Sequence, residues 1–241
     1  MANTFFRFKQ FVVHQQHAAM KVTTDACVFG AWVAQQLQKE NKTFVNALDI
    51  GAGTGLLSLM VAQKNSLQID AVEIDNSAAH QARNNFAQSP WYPSLQLVEG
   101  DITTCPLKKE YDCIFSNPPF YEGELQSPSA ARNVAHHSQQ LKLEALLHII
   151  SERLNEKGIF FLLLPYKRKS EVERLLQQAA LHIYTMVDVQ PSVTHAPFRI
   201  LVKGGRLEKG QKEKETFCIK DADGQYTPAF VQLLKDYYLY L

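Results

Sequence analysis

The chain has 241 residues, 46% hydrophobic and 20% charged, enough to bury the core of one large α/β domain and too few for two full ones. Its formal net charge of +1 does not mark a nucleic-acid binder, because such a protein needs a basic face and not a basic total. There is no long apolar run, no secretory layout after Met1, and no metal or disulfide spacing among Cys27, Cys105, Cys113 and Cys218, so a cytoplasmic protein with free thiols, no metal and no membrane contact is expected.

In chain order, residues 25–38 carry Phe29, Trp32, Val33 and Leu37 on one helical face, with Thr24 as the expected N-cap. Short apolar runs at 44–50, 68–73, 95–99, 111–116, 158–164, 183–189 and 199–203 then alternate with stretches of helical period. This alternation predicts an α/β fold, a doubly wound parallel sheet of seven strands with an N-terminal helical extension. Leu143, Leu146, Leu147, Ile150 and Leu154 form one helical stripe, and Val172, Leu175, Leu176 and Ala179 form another. Residues 204–210 read as an exposed turn because Gly204-Gly205 punctuates a charged stretch. Thr227-Pro228 starts a terminal helix with Phe230, Leu233, Leu234 and Tyr237 on its stripe. One domain over 1–241 is expected: a covering segment to 43, the sheet core over 44–203, and a C-terminal strand and helix over 204–241.

The first strand runs through Asp49 into Gly51-Ala52-Gly53-Thr54-Gly55 and an apolar helix start. Glycines let the backbone approach a ligand at the carboxyl edge of a parallel sheet, where the next helix exposes N–H groups. A dinucleotide fingerprint asks for glycine or alanine at 56, and this chain has Leu56, which argues against a nicotinamide oxidoreductase. Glu73, ending the second strand, can accept from both hydroxyls of a ribose, and Asp101, just past the third, can accept from an adenine amino group. Singly, Glu73 or Asp75 can instead cap the next helix and Asp101 can serve a turn. Together, in this order, they suit an adenosine cofactor.

The fourth strand leads into Asn117-Pro118-Pro119-Phe120. Two prolines remove two N–H donors and stiffen the turn, leaving the carbonyls of Asn117 and Pro118 without ladder partners. A rigid pair of acceptors can hold the two hydrogens of an amino group on an aromatic ring and free its lone pair for attack, with no strong base required. Phe120 offers a ring on which an extruded base can stack. A core phenylalanine beside a surface turn is the plain alternative.

Gly51 to Gly55, Glu73, Asp101 and the Asn117 to Phe120 run resemble class I methyltransferases of the amino-group type. Phe6-Arg7-Phe8-Lys9-Gln10-Phe11, Met20-Lys21-Val22-Thr23-Thr24-Asp25, Gly30-Ala31-Trp32 and the Arg132 to His136 stretch are similar to the bacterial tRNA1(Val) adenine-37 N6-methyltransferase family. The resemblance implies a Rossmann-like fold, S-adenosyl-L-methionine as cofactor, and a valine tRNA anticodon loop as partner. It also implies a role for Lys21 and Asp25 at the methionine end of the cofactor, although Thr23-Thr24-Asp25-Ala26 stands where the family commonly has Gly-Thr-Asp-Gly. Asn-Pro-Pro loops equally serve a release-factor glutamine amide or an rRNA guanine amino group, and a non-catalytic cofactor-binding module is a further alternative. Candidate phosphate contacts are Arg7, Lys9, Lys21, Lys167, Arg168, Lys169, Lys203, Arg206, Lys209, Lys212 and Lys214, each of which taken alone reads as solvated surface. His14, His17, His136 and His137 lack metal-ligand spacing.

Overall fold

The computed structural model describes residues 3–16, 18, 20–40, 42–107, 110–119 and 141–241. Two short strands, β1 (Phe5–Arg7) and β2 (Val12–His14), pair antiparallel and precede helix α1 (Thr24–Lys39). The alternation follows: β3 (Asn46–Ile50), α2 (Leu56–Ala62), β4 (Gln68–Glu73), α3 (Asn76–Ala87), β5 (Leu95–Glu99), β6 (Tyr111–Ser116), α4 (Leu143–Arg153), β7 (Leu154–Pro165), α5 (Lys169–Gln178) and β8 (His182–Ser192). The chain closes with β9 (Arg199–Gly205), β10 (Glu213–Lys220) and α6 (Pro228–Leu234).

The main sheet runs β10-β8-β9-β7-β6-β3-β4-β5, and β9 alone is antiparallel to its neighbours. The chain steps outward from β3 through β4 to β5, then returns to place β6 on the other side of β3. Strand order therefore reverses between β3 and β6, where an open α/β sheet leaves a crevice at its carboxyl edge.

β7 shows why the sheet is covered on both faces. Ile159, Phe161 and Leu163 join the cluster built with Phe29, Trp32, Met60 and Phe230, while Phe160, Leu162 and Leu164 join Leu146, Ile150, Leu176 and Met186 on the other side. A period of two in an unbroken apolar run is what two buried faces require. The Trp32 ring meets Phe161 edge-on at 5.5 Å between centroids, and each such large side chain contributes about 1.5–3 kcal/mol by burial.

Four differences from the sequence reading have identifiable causes. The strand expected within 204–241 is β10, and it joins the main sheet as an eighth strand; its first four residues are exposed and charged or polar, and edge strands carry charges that hide their period. The hairpin β1–β2 has only three residues per strand, too few to show alternation. Gly204 and Gly205 belong to β9 and not to a turn. A Cβ on Gly204 would lie 2.3 Å from the His182 carbonyl oxygen and 2.5 Å from the Phe160 ring, so the glycines serve close packing. Finally, α1 starts at Thr24 with Thr23 as N-cap, and no side chain caps it. Among the described residues no helix is long and apolar enough to cross a membrane.

Candidate active site

The turn after β3 is built by three left-handed glycines, Gly51, Gly53 and Gly55, at φ 73°, 56° and 81°. The Gly51 and Ala52 N–H groups both donate to the Val72 carbonyl, at 2.9 and 3.0 Å, and fasten the turn to β4. The three glycines do different work. A Cβ on Gly51 or Gly53 would meet nothing within 4 Å, whereas one on Gly55 would lie 2.4 Å from the Phe86 ring. The first two therefore line open space and the third seats α2 against α3.

Asp49 is fully buried under this turn. Its Oδ2 accepts from the Ser58 hydroxyl at 2.7 Å, while its Oδ1 has no partner among the described residues. Burial pushes the carboxyl up from 3.8 to about 7; the Ser58 hydroxyl opposes the shift, and the nearby Glu73 charge adds to it. Glu73 ends β4 and is buried; its Oε2 accepts from the Gly53 N–H at 2.7 Å and its Oε1 from the Asp75 N–H at 2.9 Å. The carboxylate thus holds the middle of the glycine turn. Helix capping falls to Asp75, which accepts from the Ala78 N–H at 2.8 Å. Asp101 follows the adjacent strand end and accepts from the Thr103 N–H at 2.9 Å, closing a tight local turn.

Across the strand-order reversal, β6 pairs parallel with β3 so that Ser116 is opposite Ile50, and the Ser116 hydroxyl donates to the Ile50 carbonyl at 2.7 Å. This register puts Asn117 beside the start of the glycine turn. The Asn117 side-chain oxygen is buried and has no partner among the described residues. Sequence reasoning looked to the backbone carbonyls of this loop; the amide side chain is the acceptor whose burial is on display. Phe120, and with it Arg132, His136 and His137, lies outside the described residues, as does His17.

Lys21 and Asp25 have partners of their own. Lys21 Nζ donates to the Gln15 carbonyl, and Asp25 accepts from Arg199 Nε at 2.8 Å, opposite the end of β7. Of the basic residues, Lys203 lies on β9, whose antiparallel course carries the chain from Arg199 toward the amino edge of the sheet, away from this crevice. Lys203 pairs with Glu40 at 2.7 Å and Lys212 with Glu173, while Arg206 donates to the Leu154 carbonyl at 3.2 Å. Sequence reasoning also missed Ser58, Ser116, Gln15 and Asn85, polar residues that look like ordinary surface positions in a linear sequence.

A buried carboxylate oxygen and a buried amide oxygen, both without a partner among the described residues, stand near neighbouring strand ends beside glycines that leave room, and a nucleoside carrying cationic groups fits such a place. The comparisons with known proteins agree with that chemistry. The family model for methyltransferase small domains matches residues 26–183. A tRNA1(Val) (adenine(37)-N6)-methyltransferase of Cytophaga hutchinsonii is 35% identical over all of both chains, and one of Dyadobacter fermentans is 38% identical over 98% of each. The chain belongs to this methyltransferase family. Among solved structures, a predicted O-methyltransferase of Agrobacterium tumefaciens superposes with a TM-score of 0.64 at 16% identity, covering 88% of this chain and 96% of its own. A putative RNA methyltransferase of Pyrococcus horikoshii gives 0.56 at 15% identity, covering 76% and 84%. At such identities the likeness shows the fold, the Rossmann-like sheet of S-adenosylmethionine-dependent methyltransferases. The methyltransferase's cofactor is accordingly S-adenosyl-L-methionine.

Proposed function

We propose that this protein transfers a methyl group to N6 of adenine 37 in the anticodon loop of tRNA1(Val), within one domain over 1–241 whose residues 1–43 cover the cofactor. The observation that carries the reading is the buried Asn117 oxygen, without a partner among the described residues, one residue beyond the Ser116–Ile50 pairing and next to the glycine turn. Relatives about equal in length to this chain bear that activity in their names, which favours the tRNA acceptor over a release-factor glutamine or an rRNA guanine.

The residues fit the cofactor. Gly51 and Gly53 give it backbone to lie against, Glu73 a carboxylate for its ribose, Asp101 an acceptor for its adenine, and Asp49 an acceptor for its ammonium. Lys21 and Asp25 border the methionine end. When bound, the cofactor supplies an electrophilic methyl group on a sulfonium. Asn117 and the Pro118 carbonyl accept the two hydrogens of the adenine amino group, drawing that nitrogen toward a tetrahedral shape with its lone pair exposed. Phe120 supplies the face on which the extruded base stacks. Methyl transfer to the amine held there would leave one proton for the nitrogen to shed to solvent. No residue has to act as a strong base.

The test is a competition in which unmodified tRNA, ribosomal RNA and release factor are offered together with labelled cofactor, followed by mass spectrometry of tRNA nucleosides. N6-methyladenosine at the anticodon loop is expected; label confined to protein or to ribosomal RNA would overturn the choice of acceptor.

A further inference from the structure

Asn85, on α3, is buried and uses every hydrogen-bonding position of its amide except the second lone pair of its oxygen. Its Oδ1 accepts from the His14 N–H at 2.9 Å, and its Nδ2 donates to the His14 carbonyl and to the Thr54 carbonyl, both at 2.9 Å. The side chain thereby acts as one more strand residue for β2 while gripping the glycine turn at Thr54, next to the Gly53 N–H that Glu73 holds. Only a primary amide of this length carries the acceptor and both donors.

The next residue continues the connection. Gln15 is buried; its Oε1 accepts from the Val22 N–H at 2.7 Å, its carbonyl accepts from Lys21 Nζ, and its own N–H donates to the Thr4 carbonyl at 2.9 Å. Val22 leads straight into Thr23, the N-cap of α1. The hairpin that leads into these contacts is tied down at several points. Phe8 stacks on Phe11 at 4.4 Å, Phe11 meets Trp91 edge-on at 5.8 Å, and the Lys9 N–H donates to the Tyr237 carbonyl at 2.8 Å.

We propose that Asn85 and Gln15 are positioning residues, which use β2 as a strut to hold the glycine turn and the 20–25 segment in one fixed relation. The inference rests on the reading that the cofactor lies between those two elements. A cleft whose two sides are already spaced binds its ligand without first ordering them. Neither residue is needed at the amine, so the strut governs cofactor affinity and not methyl transfer itself.

Asn85→Asp keeps the acceptor for His14 and sets a carboxylate oxygen against two carbonyls; Gln15→Met keeps the bulk and removes the acceptor for Val22. Calorimetry with S-adenosylhomocysteine, well below each variant's melting temperature, should show affinity weakened about tenfold in either variant. KM for the cofactor should rise in parallel while kcat at saturation stays within about twofold of wild type. Hydrogen exchange should quicken in peptides spanning 12–25 and 50–56 and stay unchanged in β7 and β9. The double variant should weaken binding by less than the product of the two single effects, because both break one connection. Wild-type affinity in both folded variants, multiplicative effects, or loosening throughout the sheet would overturn the strut. A wild-type protein that fails to bind S-adenosylhomocysteine at all would instead remove the underlying site assignment.

Discussion

If Asp49 faces the cofactor's ammonium as proposed, cofactor affinity should depend on pH, and the sign and size follow from its surroundings. Burial raises its carboxyl from 3.8 to about 7, so the cofactor-free protein holds a proton there in mildly acidic solution. An ammonium beside the free Oδ1 favours the carboxylate and brings the pKa down, so binding expels the proton. Below pH 7 each unit of acidification then costs a factor of about ten in affinity, or about thirtyfold near pH 5.5, and above pH 7 the curve is flat. The same group acts oppositely on the empty protein: its raised pKa contributes stability that is full below 3.8 and is lost as pH rises through about 7. The assay is calorimetry of S-adenosylhomocysteine in two buffers of different ionisation enthalpy, which counts protons released as well as affinity. Asp49→Asn should flatten the profile and weaken binding most at neutral pH. A flat profile in the wild-type protein, or one that survives in Asp49→Asn, would refute the reasoning.

Asn117→Ala should lower kcat by about 10²–10³ while S-adenosylhomocysteine affinity stays within about twofold, since it removes an interaction made with the reacting amine; steady-state kinetics and calorimetry together check this. The glycines should separate stability from binding. Gly55→Ala meets the Phe86 ring at 2.4 Å with φ at 81° and should cost about 2–3 kcal/mol in thermal unfolding. Gly53→Ala faces open space and should cost only about 1 kcal/mol, yet its methyl group occupies room the cofactor needs, so affinity should fall further than stability. Tyr237→Phe removes a bond from a buried hydroxyl to the Met60 carbonyl at 3.0 Å, and denaturant unfolding should register a loss of about 1 kcal/mol with activity unchanged.

The elements legible in the sequence are those whose burial is one-dimensional. β4, β5 and β6 begin and end where the short runs read from the sequence do, because each run is bounded by turn or loop residues and keeps enough apolar positions to stand out. A strand is expected within 204–241, but the limits of β10 and its place in the main sheet are not legible because charge at an edge hides alternation, and the hairpin is not legible because its partners, Asn85 and Tyr237, are far away in sequence. The site divides in the same way. Gly51, Gly53, Gly55 and Glu73 are visible because φ above zero and a strand-end carboxylate each demand one residue type. Gln15 and Asn85 are invisible because amides on a helix or near a terminus carry no local signature; only the tertiary partner shows that they are buried and bonded. The course of Lys203 is also set by tertiary topology: one antiparallel strand, β9, carries the chain toward the far edge of the sheet, and Lys203 pairs with Glu40.

Two asparagines put the central idea to a direct comparison. Each has a buried side-chain oxygen, but Asn85 Oδ1 accepts from His14 while Asn117 Oδ1 accepts from nothing among the described residues. A buried acceptor left unpaired costs about 1–3 kcal/mol, and a paired one does not. Asn85→Ala should therefore destabilise the empty protein by about 2–4 kcal/mol, from lost bonds and a cavity. Asn117→Ala should leave stability unchanged or raise it, since it deletes a group that gives the folded chain nothing until substrate arrives. Denaturant unfolding of the two variants without ligand decides the matter. If Asn117→Ala falls as far as Asn85→Ala, the Asn117 amide is a structural tie, and the strand-order reversal between β3 and β6 loses its claim to hold the amine.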